Sequence, residues 1–139
     1  MENAELLAVQ PSEYLKRGFY DKNGDLLEEL NGYYSLCMAY RLREEHTNID
    51  QLQDIVVRLK EIASKRDSAV NDNPHLPLDD ANAAAFKAVE KQTTSPTIRA
   101  IFDAANKWIT DWKSFSSLTL HLQRILSQYA LIKNLPDKD

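Results

Sequence analysis

Apolar side chains recur at three- and four-residue steps in successive stretches of the chain, the spacing of helices that each bury one side. The cleanest stretch holds Leu52, Ile55, Val56, Leu59, Ile62 and Ala63 behind two overlapping N-caps in Thr47-Asn48-Ile49-Asp50-Gln51. Arg58 and Lys65 share its outer side with Asp50, Asp54 and Glu61, a mixture suited to solvent and to pairing four residues apart. A second amphipathic run opens at Ser95-Pro96, where the serine hydroxyl can serve free backbone N–H groups and proline at the first helical position wastes no donor. Ile98, Ile101, Phe102, Ala105, Trp108, Ile109 and Trp112 then fall in an arc of roughly 120°. Arg99, Lys107 and Lys113 lie on another side, with Asp103 among them and Asp111 at the edge. The pattern predicts one helix from residue 96 to about residue 113, a bend at Ser114-Phe115-Ser116-Ser117, and a last helix over residues 118–134 before Pro136. In that last helix Leu118, Leu122, Ile125, Leu126, Tyr129 and Ile132 make the main stripe. Leu120 and Leu131 lie almost opposite, as on a helix central in its bundle or covered by a partner.

Upstream, residues 1–20 are poorly defined: a short turn over residues 5–9 and a short piece capped by Ser12 precede the turn at residues 19–26. There Gly24 is free to take positive φ, and Asp25 with Glu28 forms a capping box for a long helix over residues 26–45. Asn31-Gly32 weakens that helix enough to allow a restart near Tyr33. Arg41 projects into its apolar face, where an arginine usually lays its stem on the core and sends its head to a carboxylate or carbonyl. Residues 67–80 hold two prolines and many turn formers and read as one long loop. Asp79 then caps a helix to about Gln92, in which Ala81, Ala84, Ala85 and Ala88 would let another helix approach and Lys87 and Lys91 stand four apart.

Composition narrows the class further. Three glycines in 139 residues, with 43% apolar and 27% charged side chains, favour helix over sheet. The expectation is all-α, a single domain of about five helices over residues 1–139. Cys37 is the only cysteine, so an internal disulfide is excluded and a reducing, cytoplasmic setting is the simpler assumption. No apolar run approaches the roughly 18 residues of a membrane span, and the first five residues lack the basic start of a signal peptide. The net charge of −4 hides a local excess of cations: from Lys91 to Leu135, Lys91, Arg99, Lys107, Lys113, Arg124 and Lys133 face only Asp103 and Asp111.

Catalytic patterns are missing. The three histidines stand apart without Glu-x-x-His or His-Glu-x-x-His spacing, no glycine-rich phosphate loop occurs, and the glycine of the residue 21–25 turn is misplaced for a calcium loop. Cys37 sits within an apolar helix face, where a thiol stays protonated. No metal, cofactor, small-molecule substrate or enzymatic activity is expected. Trp108 and Trp112, four apart, read as core anchors more readily than as a base-stacking platform.

Two segments carry a resemblance. Gln92-Thr93-Thr94-Ser95-Pro96-Thr97-Ile98-Arg99 resembles the Thr-Thr-Ser-x-x-Ile-Arg segment of small helical subunits in class 1 CRISPR effector complexes. Phe19-Tyr20-Asp21, with Gly24 and Leu26, is similar to an aromatic-Asp-x-x-Gly-x-Leu entry in some of them. The variant that fits best resembles the C-terminal helical domain of a type I large subunit made as a separate chain. That resemblance implies a non-catalytic subunit of a crRNA-guided antiviral surveillance complex, packed beside copies of itself and other effector subunits and steadying target or displaced DNA by its phosphates. Arg99, Lys107 and Lys113, then Lys87, Lys91 and Arg124, would be the phosphate contacts, with Leu120 and Leu131 serving neighbouring subunits. The competing expectation is a helical protein-interaction adaptor that meets no nucleic acid, using the loop around Pro74 to Pro77 and the same two leucines.

Overall fold

A computed structural model describes residues 2–65 and 68–135. The protein is all-α; its described residues contain no strand, only an isolated antiparallel bridge between Tyr20 and Leu26. The helices are α1 (Glu2–Leu7), α2 (Pro11–Tyr14), α3 (Glu28–Asn31), α4 (Tyr33–Glu44), α5 (Ile49–Ser64), α6 (Ser68–Asp72), α7 (Asp80–Gln92), α8 (Pro96–Ala105) and α9 (Trp112–Ile132), with a 3₁₀ turn at Asn106–Trp108. This is more than five, because the helix expected over residues 26–45 is divided at Gly32, the N-terminal segment forms α1 and α2, and the expected loop holds α6. None of the described helices is long and apolar enough to cross a membrane.

The long helix α9 is the axis of the fold, packed along α4 and α5. It buries Trp112, Phe115, Leu118, Leu122, Ile125, Tyr129 and Ile132, close to the stripe expected of it. Around it, Phe19, Leu30, Met38, Leu42, Leu59, Ile98 and Phe102 complete one core cluster. Asn48, Asp79 and Ser95 cap α5, α7 and α8 as expected, each side chain accepting a backbone N–H two or three residues on. The chain also breaks at Gly32 and resumes at Tyr33. Arg41 behaves as arginine in an apolar face should, donating to the carbonyls of Val9 at 3.0 Å and Leu7 at 3.5 Å.

Four local expectations are corrected. The helix from residue 96 stops at Ala105 rather than running to residue 113, and α9 begins at Trp112 rather than after a bend at Ser114–Ser117. Asp111 is the stronger cap: its side chain accepts from Ser114 N at 2.7 Å, while Ser114 Oγ accepts from Asp111 N at 3.1 Å. Two of the following hydroxyls bond back one turn within the helix, Ser117 to Lys113 O at 2.9 Å and Thr119 to Phe115 O at 3.0 Å, while the buried Ser116 hydroxyl has no partner among the described residues. Asp25 caps nothing; Leu27 precedes α3 without a side-chain bond, and Asp21 organises the turn by accepting from Asn23 N and Asp25 N. Gln10, not Ser12, precedes α2. Within residues 67–80 the chain forms α6 and then straps α9, Trp112 N donating to Leu76 O and Lys113 N to Pro74 O, both at 2.9 Å. Asp67 and Pro136, which bounded the expected loop and last helix, lie outside the described residues.

A buried polar knot joins elements distant in sequence. His121 of α9 is fully buried, with Nδ1 2.8 Å from Leu30 O and Nε2 2.8 Å from the Tyr14 hydroxyl. A carbonyl only accepts, so Nδ1 carries the proton and Nε2 accepts from Tyr14. Ser35 donates to the same Leu30 carbonyl. Tyr14 stacks on Tyr34 with ring centroids 4.6 Å apart. Satisfied in this way, the imidazole is a structural pin between α2, α3 and α9.

Candidate nucleic-acid interface

Four of the candidate phosphate contacts lie along the pair formed by α7, α8 and the 3₁₀ turn, Lys91 and Arg99 at the connected end and Lys87 and Lys107 toward the other. Three residues, Thr93 to Ser95, connect the two helices, and Phe86 meets Phe102 edge to face with centroids 5.9 Å apart. Farther along, Asn106 Nδ2 donates to Glu90 Oε2 at 3.4 Å, keeping the 3₁₀ turn against α7. Lys87 and Lys91 are exposed one turn apart on α7, Arg99 is exposed in the first turn of α8, and Lys107 is exposed next to Asn106. Lys91 and Arg99 form no ion pair among the described residues.

The acidic groups here offset the cations weakly. Lys87 Nζ stands 3.9 Å from Glu90 Oε2, at the limit of an ion pair. Burial first, and then the neighbouring Asp103 charge, raise the Glu90 pKa, while Lys87 and Asn106 pull it back. Its Oε1 is buried without a hydrogen-bond partner. Asp103 itself is exposed.

The other two cations sit apart. Because α8 ends at Ala105 and α9 begins at Trp112, Arg99, Lys107 and Lys113 fall on α8, the 3₁₀ turn and α9 rather than on one side of a single helix. Lys113 is half-buried, its ammonium 4.6 Å from the centre of the Tyr20 ring and 3.4 Å from Gly24 O, so it holds the residue 19–26 turn to α9. Arg124 lies on the outer stripe of α9 between Leu120 and Leu131, which are 42% and 74% exposed. The tryptophans form no stacking platform. Trp112 is buried against Phe115, and half-buried Trp108 lies on Gly18.

Every hydroxyl of the Thr93–Thr97 segment is used inside the chain. Thr93 donates to Val89 O, Thr94 to Gln51 Oε1 at 3.1 Å, Ser95 to Glu45 Oε1 at 2.7 Å and Thr97 to Glu45 Oε2. Thr97 N adds a 3.0 Å bond to the same carboxylate. Glu45 thus occupies the start of α8 as an anion would, and the segment builds the corner rather than offering hydroxyls to a ligand. Sequence reasoning missed Glu45 because nothing local links it to a segment fifty positions away. It also missed Asn106, which reads as one more outward polar residue until α8 ends beside it. Comparison with protein-family models, curated proteins and solved structures found no match for this chain.

Proposed function

We propose that this chain is a non-catalytic small subunit of a crRNA-guided antiviral surveillance complex, associating with copies of itself and with other effector subunits. It steadies target or displaced DNA through backbone phosphates rather than base sequence. The observation that carries the reading is the α7–α8 pair, where Lys91 and Arg99 are exposed on either side of a connection resembling the Thr-Thr-Ser segment of such subunits, and Lys87 and Lys107 are exposed toward the other end of the pair. Lys113 and Arg124 contribute less to one track, since the first is engaged with Tyr20 and the second stands between two leucines. Strand holding needs only cations on a rigid surface, while guide pairing supplies sequence recognition.

A second reading rests on Leu120 and Leu131. Exposed on the outer stripe of the central helix, they suit an adaptor surface that meets no nucleic acid. The readings part on salt and charge. If four phosphates are neutralised on a single strand, raising salt from about 50 to about 200 mM weakens binding about fiftyfold. Reversing Arg99 or Lys107 to glutamate flattens that dependence, whereas Leu120→Asp leaves it intact. Recovery of the tagged chain from its native host with CRISPR backbone subunits and crRNA is the expected result. Recovery with an unrelated protein and no RNA, together with no binding to single strands, overturns the proposal in favour of the adaptor.

A further inference from the structure

At the end of the α7–α8 pair away from the Thr93–Ser95 connection lies a cavity of about 210 Å³ bounded by α7, the 3₁₀ turn and the residue 73–79 strap. Its apolar walls are Leu78, Phe86 and Ile109, and its polar groups are Lys87, Asn106 and Thr110. The volume is below the roughly 300–1,000 Å³ of a whole small-molecule site, so it suits a single ring rather than an extended ligand. Its walls are held in place independently of any ligand: backbone bonds tie the strap to α9, and Phe86 is wedged between Phe102 and Phe115 at 5.9 and 5.3 Å.

The polar groups are arranged for an anion-bearing heterocycle. Asn106 spends its NH₂ on Glu90, leaving its Oδ1 without a partner among the described residues. Lys87 lines the cavity and is held only by the long contact to half-buried Glu90, and Lys107 follows Asn106 in the turn. An apolar slot, one free amide acceptor and the Lys87 ammonium beside it match the three parts of a nucleotide: a ring face, a ring-edge donor and a phosphate.

Resting on the nucleic-acid reading above, we infer that this cavity seats one unstacked nucleobase of the held strand. The base lies against Phe86 and Ile109, an exocyclic amino or ring N–H donates to Asn106 Oδ1, and the adjoining phosphate meets Lys87. Recognition is by ring shape and one donor, so the site tolerates many sequences while favouring single strands over duplex.

The test compares a short single-stranded oligonucleotide with the same sugar-phosphate chain carrying abasic residues. The intact strand is expected to bind about tenfold more tightly than the abasic one. Ala83→Leu, which fills the cavity from α7, should erase that difference while keeping the salt dependence. As a measurement independent of any variant, titration with a 5′-mononucleotide should shift the methyl resonances of Ala83 and Ile109, and deoxyribose 5-phosphate should not. Equal binding of intact and abasic strands, or unmoved methyl resonances, overturns the base seat and leaves phosphate holding in place. Failure of both strands to bind removes the nucleic-acid reading and the seat with it.

Discussion

Mild acid should destabilise this protein through His121. Full burial, only partly offset by the bond to Leu30 O, lowers its pKa from 6.5 to about 4. The unfolded imidazole takes up a proton near pH 6.5, whereas the folded one does so only near pH 4, so acid favours the unfolded chain. The contribution is complete above pH 6.5 and is lost as the pH falls toward 4. A shift of this size corresponds to about 3 kcal/mol in total, of which about 2 kcal/mol is gone by pH 5. Urea unfolding at successive pH values, in the natural chain and in His121→Gln, isolates the histidine contribution. The variant loses starting stability with the Tyr14 and Leu30 bonds, but its stability should fall about 2 kcal/mol less between pH 7 and pH 5. Parallel pH profiles for the two proteins, or a His121 imidazole resonance that titrates near 6.5 in the folded state, would refute the reasoning.

Two further perturbations test the packing. Gly18 takes φ +79°, and an added Cβ would stand 3.1 Å from the Trp108 ring, whereas Gly24 at φ +83° has open space around it. Gly24→Ala should cost about 1 kcal/mol in urea unfolding from backbone strain alone, and Gly18→Ala about 1 kcal/mol more with a shift in Trp108 fluorescence. Glu45→Gln leaves one acceptor oxygen where Ser95, Thr97 and Thr47 now donate to two, and should cost about 2 kcal/mol. Its hydrogen-exchange signature should be faster exchange at Thr97 N; unchanged protection there would show that Glu45 does not hold the start of α8.

Features governed by neighbours within four residues were legible in the sequence. The all-α class, the α5 stripe, the caps at Asn48, Asp79 and Ser95, and the restart at Tyr33 all follow from interactions that a short window contains. Even locally, two signals can compete. Ser114–Ser117 looked like a bend, yet Asp111 three residues before Ser114 makes a reciprocal cap, and the Ser117 and Thr119 hydroxyls are satisfied within the helix. With α8 ending at Ala105, that early start of α9 divides Arg99, Lys107 and Lys113 among three elements and so alters the candidate site.

By itself the sequence determined the all-α class, the main helices, which side of each is apolar and which side chains are cationic, because helix periodicity and capping are short-range. Only the tertiary structure decided how those cations are grouped. The α8 start depends on Glu45 from the end of α4, and the placement of α9 depends on His121 meeting Tyr14 more than a hundred positions earlier. The cavity beside Lys87 exists only where the strap, α7 and the 3₁₀ turn converge. Such contacts form once packing has met the entropy cost of closing long loops, and no short window of sequence records which pairs will do so.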